Sequence, residues 1–186
     1  MIPGRLLLTP EDKDAAARVQ RLRLLGLGER AEPEFDAFAA RVADVAAAPY
    51  AMVNFIGEHR QFFAGLHQPA DRPLVADGAR PEPVRHLGRA YGFCPHVVVR
   101  GKALVLEDVR DYPRFASNPV VDELGVRSYL GAPLVDRTGL ALGTVCALDL
   151  EPRPWGRSGL ETIKALAAEL AERIEQERTG AAGGGA

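Results

Sequence analysis

Two long apolar runs dominate the chain, Val126–Val135 and Leu140–Leu150, joined by the polar turn Asp136-Arg137-Thr138-Gly139. They predict a β-hairpin in which both faces are apolar, and such a hairpin needs cover on both sides. One alternation set holds Tyr129, Gly131, Pro133 and Val135, the other Ser128, Leu130, Ala132 and Leu134. The two sets point to opposite faces, and periodicity does not say which face meets which cover. Tyr50–Ile56 and Gln61–Leu66 predict a second hairpin around Gly57-Glu58-His59-Arg60, and Ala103–Glu107 a further strand.

Helical spacing occupies the rest. Thr9 as cap, Pro10 at the first position and acidic Glu11 and Asp12 predict a helix running to Leu25 and stopped by Gly26. Its apolar stripe of Val19, Leu22 and Leu25 is narrow, and Arg18, Arg21 and Arg23 are expected in water. A second helix is predicted from Pro33 to Ala48, with Phe35, Phe38, Val42 and Val45 on one face and Pro49 as its stop. Short helices follow at His86–Tyr91 and between Asn118 and Gly125. A long one reaches Arg178 from a capping box formed by Ser158 and Glu161, with Leu160, Ile163, Leu166, Leu170 and Ile174 as its stripe. Residues 67–86, with four prolines, read as a long loop.

The chain has 186 residues, enough for one domain with an ample core. Boundaries are expected at an N-terminal extension of residues 1–8, a domain over 9–178 and a disordered glycine-rich tail over 179–186. With 23 basic and 25 acidic residues mixed along it, and a net charge of -2, the chain lacks the footprint of a nucleic-acid binder. No apolar span approaches a membrane helix or a signal-peptide core, so a cytoplasmic location is expected. Two cysteines, Cys94 and Cys146, exclude a disulfide framework and a CxxC centre.

Candidate chemistry is sparse. Gly26-Leu27-Gly28-Glu29-Arg30-Ala31 fits GxGxxA on paper, but a helix precedes it where a dinucleotide site needs a strand. His59, His67 and His86 fall in turns or loops without ligand spacing, so no metal cluster is expected. Asp108 and Asp111 are read as turn and cap residues, with Arg114 as a partner for one of them, and Asp149 as a brace for the Pro152-Arg153-Pro154 turn. Cys146, set among apolar neighbours in a strand, is expected to be an inert core residue. No nucleophile elbow or P-loop occurs, and no catalytic residue is assigned.

The ordered segments Phe93-Cys94-Pro95-His96, Leu104–Asp108, Arg114–Pro119, Tyr129–Leu134 and Gly143–Asp149 resemble a GAF domain. The likeness is closest to those of bacterial sensor kinases and diguanylate cyclases, and it covers about residues 18 to 178. It implies an α+β sandwich: a central antiparallel sheet of about six strands, terminal helices on one face, and a pocket roofed by loops and short helices on the other. Residues 67–96 and 110–125 would form that roof, and Phe93, Cys94, His96, Phe115 and Tyr129 are the pocket candidates.

The resemblance implies a sensory domain that binds an unidentified small molecule and signals through its terminal helices. Partners would be a second copy, through those helices, and a signalling protein; nucleic acid and membrane are not expected. No cofactor is predicted. Bilin attachment in related domains uses a cysteine directly followed by histidine, and Pro95 intervenes here. The Asn-Lys dipeptide of cyclic-nucleotide-binding members is missing. His96 is expected to hydrogen-bond within the fold rather than ligate haem or a metal. A ligand-free interaction module is the first alternative. A redox enzyme of the free methionine sulfoxide reductase type is the second, resting on Cys94 where that family uses three cysteines.

Overall fold

Every position of the strand Ala141–Asp149 is buried, because it lies at the centre of the sheet with layers on both faces. The computed structural model describes residues 9–74 and 84–180. The expected extension 1–8, residues 181–186 of the tail and residues 75–83 of the long loop lie outside the described residues.

Six strands form one antiparallel sheet: β1 Tyr50–Ile56, β2 Arg60–His67, β3 His86–Gly88, β4 Leu104–Leu106, β5 Ser128–Val135 and β6 Ala141–Asp149. Their spatial order is β3-β2-β1-β6-β5-β4. The opening hairpin, β5–β6, is therefore joined to the other hairpin, β1–β2, through the β1–β6 pairing. The helices are α1 Ala15–Leu24, α2 Pro33–Ala46, α3 Cys94–Arg100, α4 Pro113–Ala116, α5 Pro119–Leu124 and α6 Gly156–Gly180.

Two hydrophobic cores lie on opposite sides of this sheet. Leu130, Ala132 and Leu134 of β5 face the first, with Ile163, Leu166 and Leu170 of α6 and Phe35, Phe38 and Val42 of α2. Tyr129 faces the second, with Phe93, Cys94 and Val97 of the α3 region and Val120 and Val121 of α5. The ambiguity of the apolar hairpin is thus resolved: the Leu130 set meets the terminal helices and Tyr129 meets the short-helix layer.

Several local expectations fail for identifiable reasons. His86–Gly88 is a strand rather than a helix, since it pairs with Arg60, Gln61 and Phe62 at the sheet edge; tertiary pairing overrides local propensity there. The first helix starts at Ala15, not Thr9, and Asp12 pairs with Arg18 of that helix rather than serving a cap at Thr9. Its carboxylate takes both Arg18 Nη1 at 2.6 Å and Arg18 Nη2 at 3.1 Å. Arg18, expected in water, is 1% exposed, and its Nε donates to the Ala141 carbonyl at 2.6 Å. Arg21 is also engaged, with Asp136 at 2.8 Å and Glu175 at 3.1 Å, which ties α1 to the β5–β6 turn and to α6.

In α2, burial runs through Phe35, Ala39, Val42 and Ala43, and Val45 lies at the rim of that face, 51% exposed. The helix ends at Ala46 because Ala47 turns left-handed at φ 51°. In α6 the chain is already helical at Gly156, so Ser158 sits inside the helix and its capping box does not form. The start is held instead by the Gly156 N–H, which donates to Glu107 Oε2 at 3.0 Å.

Candidate functional site

Asn118 builds the entrance to the site. Its Oδ1 accepts from Val120 N at 3.2 Å, capping α5 as its sequence position suggests. The same amide clasps the backbone of Gly92, accepting from its N–H at 2.8 Å and donating to its carbonyl at 2.9 Å. Gly92 adopts φ 81°, a conformation that favours glycine. Pro95 in the first turn of α3 then sets the helix direction, and Cys94 points into the sheet. Cys94–Arg100 forms a helix where no element was expected from the sequence.

Beneath Cys94 is a cavity of about 40 Å³, walled by Met52, Phe63, Leu74, Leu87, Val120 and Leu148 among others. Cys94 Sγ lies 3.1 Å from the Tyr129 hydroxyl and 3.7 Å from Cys146 Sγ. Cys146 Sγ in turn lies 4.0 Å from Met52 Sδ. Asn54 and Gln61 add polar groups: Asn54 Nδ2 donates to Gln61 Oε1 at 2.9 Å. Gln61 Nε2 bridges to the carbonyls of Gly88 at 2.9 Å and Tyr91 at 2.6 Å, tying the sheet to the chain that leads into α3. Asn54 Oδ1 and Thr144 Oγ1 are buried and have no hydrogen-bond partner. An unpartnered buried polar atom is costly, which makes these two a feature to be explained.

The two thiols differ in acidity. Burial raises Cys94, but the polar side chains of Cys146, Thr144, Tyr129 and Asn54 outweigh it and bring its pKa down to about 6. Cys146, beside a neighbour that ionises first, is pushed well above the ordinary thiol range, and burial adds to this. Tyr129 is raised by burial and by the adjacent sulfurs.

Of the five pocket candidates, Phe93, Cys94 and Tyr129 line the cavity. His96 and Phe115 do not: they pack on each other behind it, with ring centroids 5.1 Å apart at 88°. Phe93 links the two groups through edge contacts with Phe115 at 5.7 Å and Tyr129 at 5.2 Å. The expectation that His96 hydrogen-bonds within the fold is corrected at Nδ1, which is buried without a partner. Cys146 is buried as expected, but its thiol faces Cys94 rather than inert core alone. Asn54, Gln61 and Met52 were missed. The visible signal for the first two was a lone polar residue at the end or middle of an otherwise apolar strand.

The acidic pair resolves as turn chemistry. Asp108 accepts from its own Arg110 N–H at 3.1 Å and pairs with Arg127 at 2.7 Å. Arg114 instead lies over the Phe115 ring at 5.7 Å. Asp149 pairs with Arg153. Among the described residues no group of three or more His, Cys, Asp or Glu is placed to hold a metal ion. Among them, too, no helix is long and apolar enough to cross a membrane.

His96 gives a pH prediction. Burial, then Arg114, Arg100 and Arg89, lower its pKa to about 4 from 6.5. The unfolded chain therefore takes up a proton near pH 6.5 that the folded protein refuses until about pH 4. Stability should fall with acidification across that window. Denaturant melts of wild type and His96→Phe between pH 7 and pH 4 check it: the variant, which keeps the ring packing, should lose this part of the slope.

Comparison with known proteins gives a consistent picture. The GAF domain family model matches residues 30–174. A cyclic di-GMP phosphodiesterase of Pseudomonas aeruginosa is 30% identical over 173 residues, covering 91% of this chain but 27% of that protein. The chain thus spans about a quarter of the length of the curated relative it matches. The GAF domain of an Acinetobacter phosphoenolpyruvate-protein phosphotransferase superposes with a TM-score of 0.59 at 18% identity, covering 91% of this chain and 99% of that one. A free methionine-R-sulfoxide reductase of Neisseria meningitidis, solved with its substrate, gives 0.61 at 15% identity, covering 92% and 96%. At such identities the structural likenesses speak for the fold alone.

Proposed function

Since the chain belongs to the GAF domain family, we propose that it works as a sensory or regulatory module, with residues 9–178 as a single unit. Its input site is the cavity under Cys94, and its output surface is the opposite face of the sheet, where α1 and α6 lie. The observation that carries this reading is the cavity itself: mostly apolar and provided with the few convergent polar groups that binding sites share.

The size of the cavity narrows the input. Pockets for drug-sized ligands run to roughly 300–1,000 Å³, whereas this one has about 40 Å³. The unidentified small molecule expected from the family resemblance would have to be far smaller than a drug-sized ligand to fit such a volume. In this conformation the occupant has only a few heavy atoms; anything larger requires the α3–α5 layer to move outward. The route to the helices is short. Cys146 on β6 and Tyr129 on β5 line the cavity, and the next residues along those strands, Ala147 and Leu130, face the α6 side.

As output, α6 is tied to α1 by Arg21 to Glu175 and by Arg178 Nη1 donating to the Leu25 carbonyl at 3.5 Å, and to the start of α2 by Arg178 to Glu32, so a change in α6 reaches both helices. A homodimer through these helices would cover Leu24 of α1, which is 74% exposed. The relative with phosphodiesterase activity suggests an effector of the cyclic-dinucleotide signalling class as the regulated partner. No catalytic role is assigned to this module.

Two measurements test the reading. Hydrogen exchange on α6 should change when the cavity is perturbed by Tyr129→Phe; unchanged exchange there would overturn coupling to the helices. Light scattering should show a dimer that Leu24→Glu splits into monomers, and a wild-type monomer at high concentration would remove the dimer.

A further inference from the structure

We propose that Cys94 and Cys146 form a peroxide-reactive pair, in which Cys94 is the attacking thiol, Cys146 the resolving one, and a reversible disulfide between α3 and β6 the product. The proposal rests on the sensory reading and names its input.

Four features of the site converge on it. The two sulfurs are 3.7 Å apart across the cavity wall and both are free thiols. Joining them asks for an approach to about 2 Å, a movement within reach of side-chain rotation and a small shift of α3. The cavity volume excludes a metabolite but admits a peroxide: a water needs at least about 10–15 Å³, and about 40 Å³ is present. The orphaned Asn54 Oδ1 lines the same cavity as both sulfurs, and a hydrogen bond from a peroxide O–H would satisfy it. Finally, the Tyr129 hydroxyl at 3.1 Å from Cys94 Sγ can donate to a thiolate there, with no competing cation needed.

The chemistry balances with hydrogen peroxide as oxidant. The Cys94 thiolate attacks one peroxide oxygen, the O–O bond breaks, and hydroxide leaves and takes up a proton as water. Cys94 is then a sulfenic acid. The Cys146 sulfur attacks the Cys94 sulfur, the S–O bond breaks, and the departing oxygen leaves as water with the Cys146 proton. Two thiols are oxidised, one peroxide is reduced, and two waters form. A thiol reductant reverses the cross-link by exchange. The bond would pin the start of α3 to the central strand, whose other neighbours carry the α6 face.

The neighbouring Met52 Sδ, 4.0 Å from Cys146 Sγ, is the competing target. It supplies a sharp alternative outcome, because methionine oxidation adds an oxygen while disulfide formation removes two hydrogens.

The test treats the reduced full chain with equimolar hydrogen peroxide, blocks residual thiols, and maps peptides without reduction. A linked Cys94–Cys146 peptide is expected, formed at least tenfold faster than in the urea-unfolded chain and lost on adding dithiothreitol. Cys146→Ala should stop at a Cys94 sulfenic acid that dimedone traps. The groups packed against Cys94 are Asn54 of β1, Tyr129 of β5, and Thr144 and Cys146 of β6, none charged at neutral pH when protonated. The initial rate should therefore follow a single thiol and be about tenfold lower at pH 5 than at pH 7, given its pKa of about 6. Thiols left reduced, oxygen gained at Met52 in place of the link, or equal rates in folded and unfolded chains would each overturn the proposal, and the wild-type map decides it even if a variant misfolds. Hydrogen exchange on α6 in the same samples separates the two claims. A disulfide without a change in α6 keeps the chemistry and refutes the sensory output, whereas an α6 response to Tyr129→Phe with inert thiols does the reverse.

Discussion

Asp12→Ala is expected to destabilise the protein by about 3–5 kcal/mol, the range for removing one partner of a buried ion pair. Arg18 has a side chain 1% exposed and that of Asp12 is 5% exposed, so neither charge has water to fall back on. The bidentate geometry, at 2.6 and 3.1 Å, is what offsets their desolvation. Without the carboxylate a guanidinium remains buried at the sheet, still bonded to the Ala141 carbonyl but otherwise uncompensated. The melting temperature should drop by roughly 10 °C for a chain of this length. Arg18→Met combined with Asp12→Leu should recover much of the loss, because removing both charges removes the desolvation problem; recovery stays partial since Ala141 loses its donor. Burial raises the Asp12 carboxyl, but Arg18 outweighs this and holds it below its usual value of 3.8. Its contribution is therefore fully present above that value and is lost as pH falls through the lowered folded pKa. Denaturant melts of the single and double variants, at neutral and acid pH, check each step.

That arginine also marks where sequence reasoning stops. Helix periodicity puts Arg18 on the buried stripe, four residues before Leu22 and seven before Leu25, but a lone arginine there is ordinarily expected to reach water. Burial came from a partner six residues earlier and an acceptor on β6, neither of which periodicity contains. By contrast β1, β5 and β6 were legible to within two residues, since apolar runs bounded by Pro49, by Asp136–Gly139 and by Asp149 leave little freedom. His86–Gly88 was not, because three residues become a strand only through the partner that pairs with them. The same divide runs through the site. Phe93, Cys94 and Tyr129 stood in motifs whose family likeness pointed to a pocket. Cys146 was read from its own strand as core, and its neighbours there are indeed apolar. Its meeting with Cys94 is set by the β1–β6 and β5–β6 registers, which put Cys146 opposite Met52 and Gly131 beneath the start of α3. Register is a tertiary property, and a fifty-two-residue separation hides it from any local pattern.

The register itself hangs on Gly143, and Gly143→Ala should cost about 3 kcal/mol, the upper part of the range for overpacking a filled interior. An added Cβ would fall well inside contact with the Asn54 carbonyl oxygen, and 2.9 Å from both the Asn54 carbonyl carbon and the Phe55 Cα. All three are backbone atoms of β1, so no side-chain rotation relieves the clash. Either β1 and β6 part at the middle of the sheet or the residues around the irregularity near Leu134 and Val135 shift register. Both outcomes move Asn54 and Cys146, which line the cavity. The variant should therefore show two linked losses. Amides of β1 and β6 should exchange faster at positions 54–56 and 143–145, and the Cys94–Cys146 link should form more slowly under the same peroxide treatment. Gly139→Ala, in the exposed turn with φ 86° and no atom within 4 Å of the added carbon, carries only local backbone strain. It should leave the thiol reaction at the wild-type rate. A Gly143→Ala protein with unchanged exchange and unchanged thiol reactivity would show that the central pairing does not hold the site in register.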